Sequence, residues 1–142
     1  MMTRDEIVAL VERCQSALDR HDTAAIAAEH GDDCVMESPT AGGTITGRAA
    51  IAGVYKAWFA GFPDLVVTPE ELLIDGNRVA QRFTLTGTDT GGFLGVSPTG
   101  KPFRIAVVWL CQLGDSEIVH SRYIYDFSGM LIQIGVLKAK PA

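Results

Sequence analysis

Cysteine is scarce. The chain has 142 residues and three cysteines, Cys14, Cys34 and Cys111. The number is odd and no pair is spaced as Cys-x-x-Cys, which excludes a disulfide framework and the common zinc motifs. Buried free thiols in a reducing cytoplasm are expected instead. Runs of lysine and arginine are also missing. Twelve basic residues face 17 acidic ones, a formal charge of -5, so neither nucleic acid nor an anionic membrane is expected as a partner. The longest apolar run, Ile105 to Cys111, is far too short to span a bilayer. Met1-Met-Thr-Arg-Asp-Glu6 is charged and has no signal-peptide core. There is no Gly-x-x-x-x-Gly-Lys-Ser/Thr loop, no Gly-x-Gly-x-x-Gly after a strand and no Gly-x-Ser-x-Gly elbow. A nucleotide cofactor and a serine nucleophile are therefore not expected. No His, Cys or carboxylate cluster has metal-ligand spacing, so no cofactor and no metal are predicted.

What is present reads as one domain over residues 1–142, long enough to bury most of its apolar surface without staples. At 47% hydrophobic and 20% charged, the composition is that of an ordinary globular chain. Thr3-Arg-Asp-Glu6 is a capping box, after which Ile7, Leu10, Val11, Cys14 and Leu18 recur at helical spacing. Asp22 caps a second, alanine-rich helix to about His30. Val35 to Ser38 reads as a short strand and Ala41-Gly-Gly43 as a loop. A third helix runs from Gly47 to Gly61, with Ile51, Val54, Tyr55, Trp58 and Phe59 on one face. Strands are then expected over Leu65 to Ile74 and Arg78 to Thr90, around the hairpin turn Asp75-Gly76-Asn77. Two more follow, over Lys101 to Leu113 and Glu117 to Phe127. The segment Met130 to Leu137 is amphipathic and closes one end. Helices followed by antiparallel strands make an α+β domain. A strongly curved sheet with three helices across it forms a cone with an apolar interior, suited to a small hydrophobic molecule.

The last strand carries the most chemistry. By alternation, Ile118, His120, Arg122, Ile124 and Asp126 share a face. A face mixing apolar and ionisable residues suggests a pocket wall. Asp126 in such a wall is a candidate general base, because an apolar surrounding raises a carboxylate pKa toward working pH. Its other reading is a cap on the following turn through Ser128 and Gly129. Asp89 shares a face with Phe83, Leu85 and Gly87. It either joins Asp126 in an acid/base dyad or shapes the loop entry. Arg122 lies four residues from Asp126, roughly 13 Å along a strand. It either orients a substrate carbonyl or pairs with Asp89 or Glu37. Glu37, Tyr55, Trp58, Phe59, Phe83 and Met130 are the candidate substrate-contacting residues. His21 and His30 read as solvated helix-end residues, and Trp109 as packing or interface.

Three segments resemble a known family. Gly87-Thr-Asp-Thr-Gly-Gly-Phe-Leu-Gly95 is similar to a Gly-Thr-His-Thr-Gly…Gly pattern. Ser97-Pro-Thr-Gly-Lys101 is similar to Pro-Pro-Thr-Gly-Arg/Lys. Asp126-Phe-Ser-Gly-Met-Leu-Ile-Gln-Ile-Gly135 is similar to Asp-x-x-Gly-Leu-Leu-x-Gln-Leu-Gly. All three patterns belong to the SnoaL-like polyketide cyclase group of the nuclear transport factor 2-like superfamily, and the order of elements matches along nearly the whole chain. The resemblance implies the cone fold, homodimers formed through the sheet, and Asp126 as general acid/base. Trp109, Cys111 and Leu113 are candidates for the dimer surface. Two positions depart from the group: Asp89 stands where it has histidine, and Arg122 where it often has tryptophan. The expected function is cofactor-independent acid/base chemistry (cyclisation, isomerisation or hydration) on a hydrophobic carbonyl compound. The alternative is a non-catalytic binding module of the same fold.

Overall fold

A computed structural model describes residues 1–138; residues 139–142 of the expected domain lie outside the described part. Helix α1 spans Arg4–Asp19, α2 Thr23–Ala28, α3 Arg48–Gly61 and α4 Phe127–Gln133. The strands are β1 His30–Ser38, β2 Gly43–Thr46, β3 Val66–Asp75, β4 Arg78–Thr88, β5 Pro102–Leu113 and β6 Ile118–Tyr125. The capping box forms as read: the Thr3 side chain accepts from the Glu6 N–H, and the Glu6 carboxylate from the Thr3 N–H. Asp22 caps α2 through the Ala25 N–H.

The six strands form one curled sheet in the order β2-β1-β6-β5-β4-β3. Two features differ from the sequence expectation. Segment 43–46, of which Gly43 falls in the expected loop and the rest in no expected element, pairs antiparallel with β1 as an added edge strand. And β1 lies parallel to β6, so the sheet is mixed rather than purely antiparallel. Such parallel pairing needs a long connection, and here everything between the two strands supplies it.

Strand β5 alternates without interruption: Phe103, Ile105, Val107, Trp109, Cys111 and Leu113 are all buried. They face the helices, together with Ile7, Leu10, Val11 and Cys14 of α1. Trp109, Cys111 and Leu113 are therefore core residues and not an outward interface. It is the alternate residues Leu110 and Gln112 that are exposed.

Strand β6 does not keep a single alternation. Leu113 pairs with Ile118 but Gln112 pairs with His120, which leaves Val119 as an extra residue. Such a bulge reverses the parity of everything beyond it. Ile118 is fully buried, and the next buried residue is Ser121, not His120. Arg122, Ile124 and Asp126 accordingly stand exposed on the outer side, while Ser121, Tyr123 and Tyr125 turn inward. The mixed face read as a pocket wall is the outer face of the sheet.

Candidate functional site

Strand register builds the cavity rung by rung. Phe83, Val107 and Tyr125 lie side by side across β4, β5 and β6, and Gln81, Trp109 and Tyr123 form the next rung. Helix α3 lays Val54, Tyr55, Trp58 and Phe59 over them, one stripe at i, i+1, i+4 and i+5. Between these layers lies a cavity of about 80 Å³. Its walls are almost wholly apolar, and no carboxylate is among its described lining residues. Trp58 packs edge-on against Tyr125 at 5.8 Å between ring centroids and tilted against Phe93 at 4.8 Å. A surface hollow over Thr40, Gly53, Phe93 and Leu94 shares Val54 and Trp58 with the cavity, and another over Glu37, Pro39 and Thr44 shares Ser38, Tyr123 and Tyr125.

The polar groups of the wall are mainly phenols. The Tyr55 and Tyr123 hydroxyls are hydrogen-bonded to each other, with the rings edge to face. Burial pushes both phenols well above the ordinary tyrosine value, and Tyr125 up to about 12. Both hydroxyls of the pair stay protonated at physiological pH. One hydrogen lies between the two oxygens, and the other is not used by the pair.

Below the pair is a second chamber of about 20 Å³, which shares Leu18, Tyr55, Phe83 and Tyr123 with the main cavity. His30 lines it and is only 2% exposed. It is not the solvated residue its place near a helix end suggested. Its Nδ1 lies 2.8 Å from the Ile26 carbonyl oxygen. Burial lowers its pKa, so the ring is neutral. His21 is likewise half-buried, stacked on Phe59 at 4.1 Å with Nε2 2.8 Å from the Leu65 carbonyl oxygen.

The residues singled out from sequence divide sharply. Tyr55, Trp58, Phe59 and Phe83 line the cavity. Met130 does not; it is fully buried in the core beneath α4. Asp126 is exposed and caps α4: its Oδ1 accepts from the Gly129 N–H at 2.9 Å and the Ser128 hydroxyl at 3.2 Å. That is the capping alternative, and it keeps this carboxylate out of the cavity. Asp89 is buried as its alternation suggested, at 1% exposure, but it too lies outside the cavity lining. Its Oδ2 accepts the Thr99 N–H at 3.0 Å and hydroxyl at 3.1 Å, fastening the loop after β4. Asp89 and Asp126 thus serve separate loops, and no dyad forms. Arg122 takes the ion-pair alternative with Glu37, at 3.0 Å, and His120 Nε2 meets the same Glu37 oxygen at 2.7 Å. This cluster sits on the outer face, and its hydrogen bonds hold the Glu37 carboxyl below the usual range. Glu37 is therefore not a cavity residue.

Sequence reasoning missed Tyr123 and His30. Tyr123 was hidden by the bulge. His30 carried a usable signal, since it opens a strand in which Cys34 and Met36 are apolar and buried.

The family model for SnoaL-like polyketide cyclases matches residues 8–134. No curated protein sequence matches the chain. A structure from Jannaschia sp. CCS1, of a candidate SnoaL-like polyketide cyclase, superposes with a TM-score of 0.85 at 23% identity and covers 99% of each chain. AclR from Streptomyces galilaeus, a candidate hydroxylase, superposes with 0.84 at 26% identity, over 98% of this chain and 87% of AclR. IdmH from Streptomyces antibioticus, a candidate polyketide cyclase, gives 0.76 at 27%, over 90% of this chain and 97% of IdmH. Among the described residues no helix is long and apolar enough to cross a membrane.

Proposed function

The chain belongs to the SnoaL-like polyketide cyclase family, and from that premise we propose that it acts without a cofactor on a small apolar carbonyl compound held in the cavity. The supporting observation is the Tyr55–Tyr123 hydroxyl pair, set in a wall that is apolar apart from Ser38, Tyr125 and the Trp58 indole N–H. When solvent hydroxide takes the proton from the carbon beside a carbonyl, forming water, the electron pair of the broken C–H bond moves onto the carbonyl oxygen. A fixed donor in a dry site stabilises that developing charge far better than water does. The pair has one hydroxyl hydrogen free for this task. Because burial raises both phenols, the donor keeps its proton.

A ketone small enough for one ring, 4′-fluoroacetophenone, tests this in D2O. Proton NMR follows deuterium entry into its methyl group, and fluorine NMR follows binding in the same tube. The wild-type protein is expected to accelerate exchange over buffer. Tyr123→Phe is expected to remove that acceleration by a factor on the order of 10². A bound ketone whose exchange is not accelerated would overturn the enzymatic reading. It would favour the second one, a binding module, which the lack of a carboxylate among the described lining residues supports.

The same proposal includes a homodimer through the outer face of the sheet. Leu73, Leu110 and Ile124 are large, apolar and exposed there, beside the Glu37–His120–Arg122 cluster. Leu110→Lys is expected to shift the protein from dimer to monomer in sedimentation at micromolar concentration. A wild-type protein already monomeric there would count against the interface.

A further inference from the structure

The chamber beneath the tyrosine pair has a fixed chemical polarity. A carbonyl oxygen only accepts, so His30 Nδ1, 2.8 Å from the Ile26 oxygen, carries the ring hydrogen. Its Nε2 is then a bare lone pair, and it is buried without a partner. The Gln15 amide is oriented just as firmly. Its Nε2 donates to Asp19 Oδ1 at 2.9 Å and to the Val67 carbonyl oxygen at 2.8 Å. That leaves Gln15 Oε1 buried, also without a partner. Both residues line the chamber. Of the donors that line it, the Trp109 indole N–H is given to Ser121 at 3.1 Å and Cys14 offers only a thiol. The Gln81 amide and the tyrosine hydroxyls complete the lining, and none of them is hydrogen-bonded to His30 Nε2 or Gln15 Oε1. Two rigid acceptors thus face a space of about 20 Å³, room for about one oxygen atom with its hydrogen.

We propose that this chamber is a recognition site for a hydroxyl group at the tip of the ligand, with His30 Nε2 and Gln15 Oε1 accepting from it. The apolar body of that ligand fills the cavity above, so the inference rests on the function proposed there and adds to it a substrate class: an apolar compound ending in an O–H donor. A tip that only accepts, such as an ether or a carbonyl, leaves both lone pairs unmatched and is disfavoured.

Three one-ring probes of similar size separate the possibilities: 4-fluorotoluene, 4-fluoroanisole and 4-fluorophenol. Their affinities for the full-length protein are read by fluorine NMR titration. The phenol is expected to bind roughly threefold to tenfold more tightly than the anisole, the worth of one net hydrogen bond. In His30→Leu that preference should vanish while the affinity for 4-fluorotoluene remains. In the unmodified protein labelled with nitrogen-15 histidine, the phenol should move the His30 Nε2 resonance and the anisole should not. That second measurement stands even if the variant folds poorly.

Equal binding of phenol and anisole with an unmoved His30 resonance would overturn the proposal, leaving the apolar cavity intact. A preference that survives in His30→Leu but disappears in Tyr123→Phe would also overturn it, placing the hydroxyl on the tyrosine pair. Failure of 4-fluorotoluene itself to bind would overturn the cavity reading and this one together.

Discussion

Gly91→Ala is expected to cost about 3 kcal/mol or more, and to lower the melting temperature by about 10 °C or more. A Cβ built on Gly91 would lie 1.8 Å from the Ala60 carbonyl oxygen and 3.2 Å from the Gly61 Cα. Both are backbone atoms of the last turn of α3, so no side-chain rotation relieves the clash. The loop must withdraw instead, which breaks the 3.0 Å hydrogen bond from the Gly91 N–H to the Gly61 carbonyl oxygen. Calorimetry or a circular-dichroism melt checks this. Gly95→Ala serves as a control for loop position: no atom lies within 4 Å of its added Cβ, although its φ of +73° adds backbone strain. A Gly91→Ala protein that melts within a degree or two of wild type would mean that the loop does not close on α3 as described.

Phe62→Ala is expected to cost about 3–5 kcal/mol, the usual range for a buried phenylalanine. Phe62 is fully buried just past α3, and its ring meets Phe93 at 4.9 Å and Phe103 at 4.8 Å between centroids. Trp58 touches the same ring at 5.7 Å. The side chain therefore ties helix, loop and sheet together, and its loss leaves a hole among the Trp58, Phe93 and Phe103 rings. Phe62→Leu keeps most of the volume and is expected to cost far less. Denaturant midpoints for the two variants decide the matter: similar midpoints would show that the aromatic cluster is not what holds the joint. Gly91 and Phe62 act on the same contact between α3 and the loop, so their combined variant is expected to lose less than the two costs added together.

Much of this fold was legible because local chemistry and global arrangement agree. The Thr3 box, the Asp22 cap and the turn at Asp75-Gly76-Asn77 act over a few residues, and each appears where composition placed it. The cavity face of α3 was legible for the same reason, since helical spacing is local. What failed to show was non-local. Strand β2 is only four residues long and forms against the edge that β1 offers; Thr44, Ile45 and Thr46 favour a strand, but so short a run between glycines gives no partner to read. The single extra residue Val119 carries no compositional mark, yet it sends Arg122 and Asp126 to the outside and Tyr123 to the inside. His30 was misjudged because a residue between helix and strand looks exposed until the sheet closes over it. The family motif around Asp126 identified the fold well, while the role it implied for that side chain does not match a residue that caps α4.

The parallel pairing of β1 with β6 also bears on the order in which the molecule is made. Strands β3, β4 and β5 pair with sequence neighbours and can form as soon as they exist. The β1–β6 contact joins Met36 to Ser121 and Glu37 to Arg122, so its loop-closure entropy makes it a late event. Tyr123 and Tyr125 arrive only with β6, and Tyr55 meets its partner only then. On a growing chain the meander can therefore assemble while no binding chamber yet exists. An occupant can act on the equilibrium only after the final strand has docked, and it stabilises the finished molecule alone. Ligand should slow unfolding and leave the early folding rate unchanged.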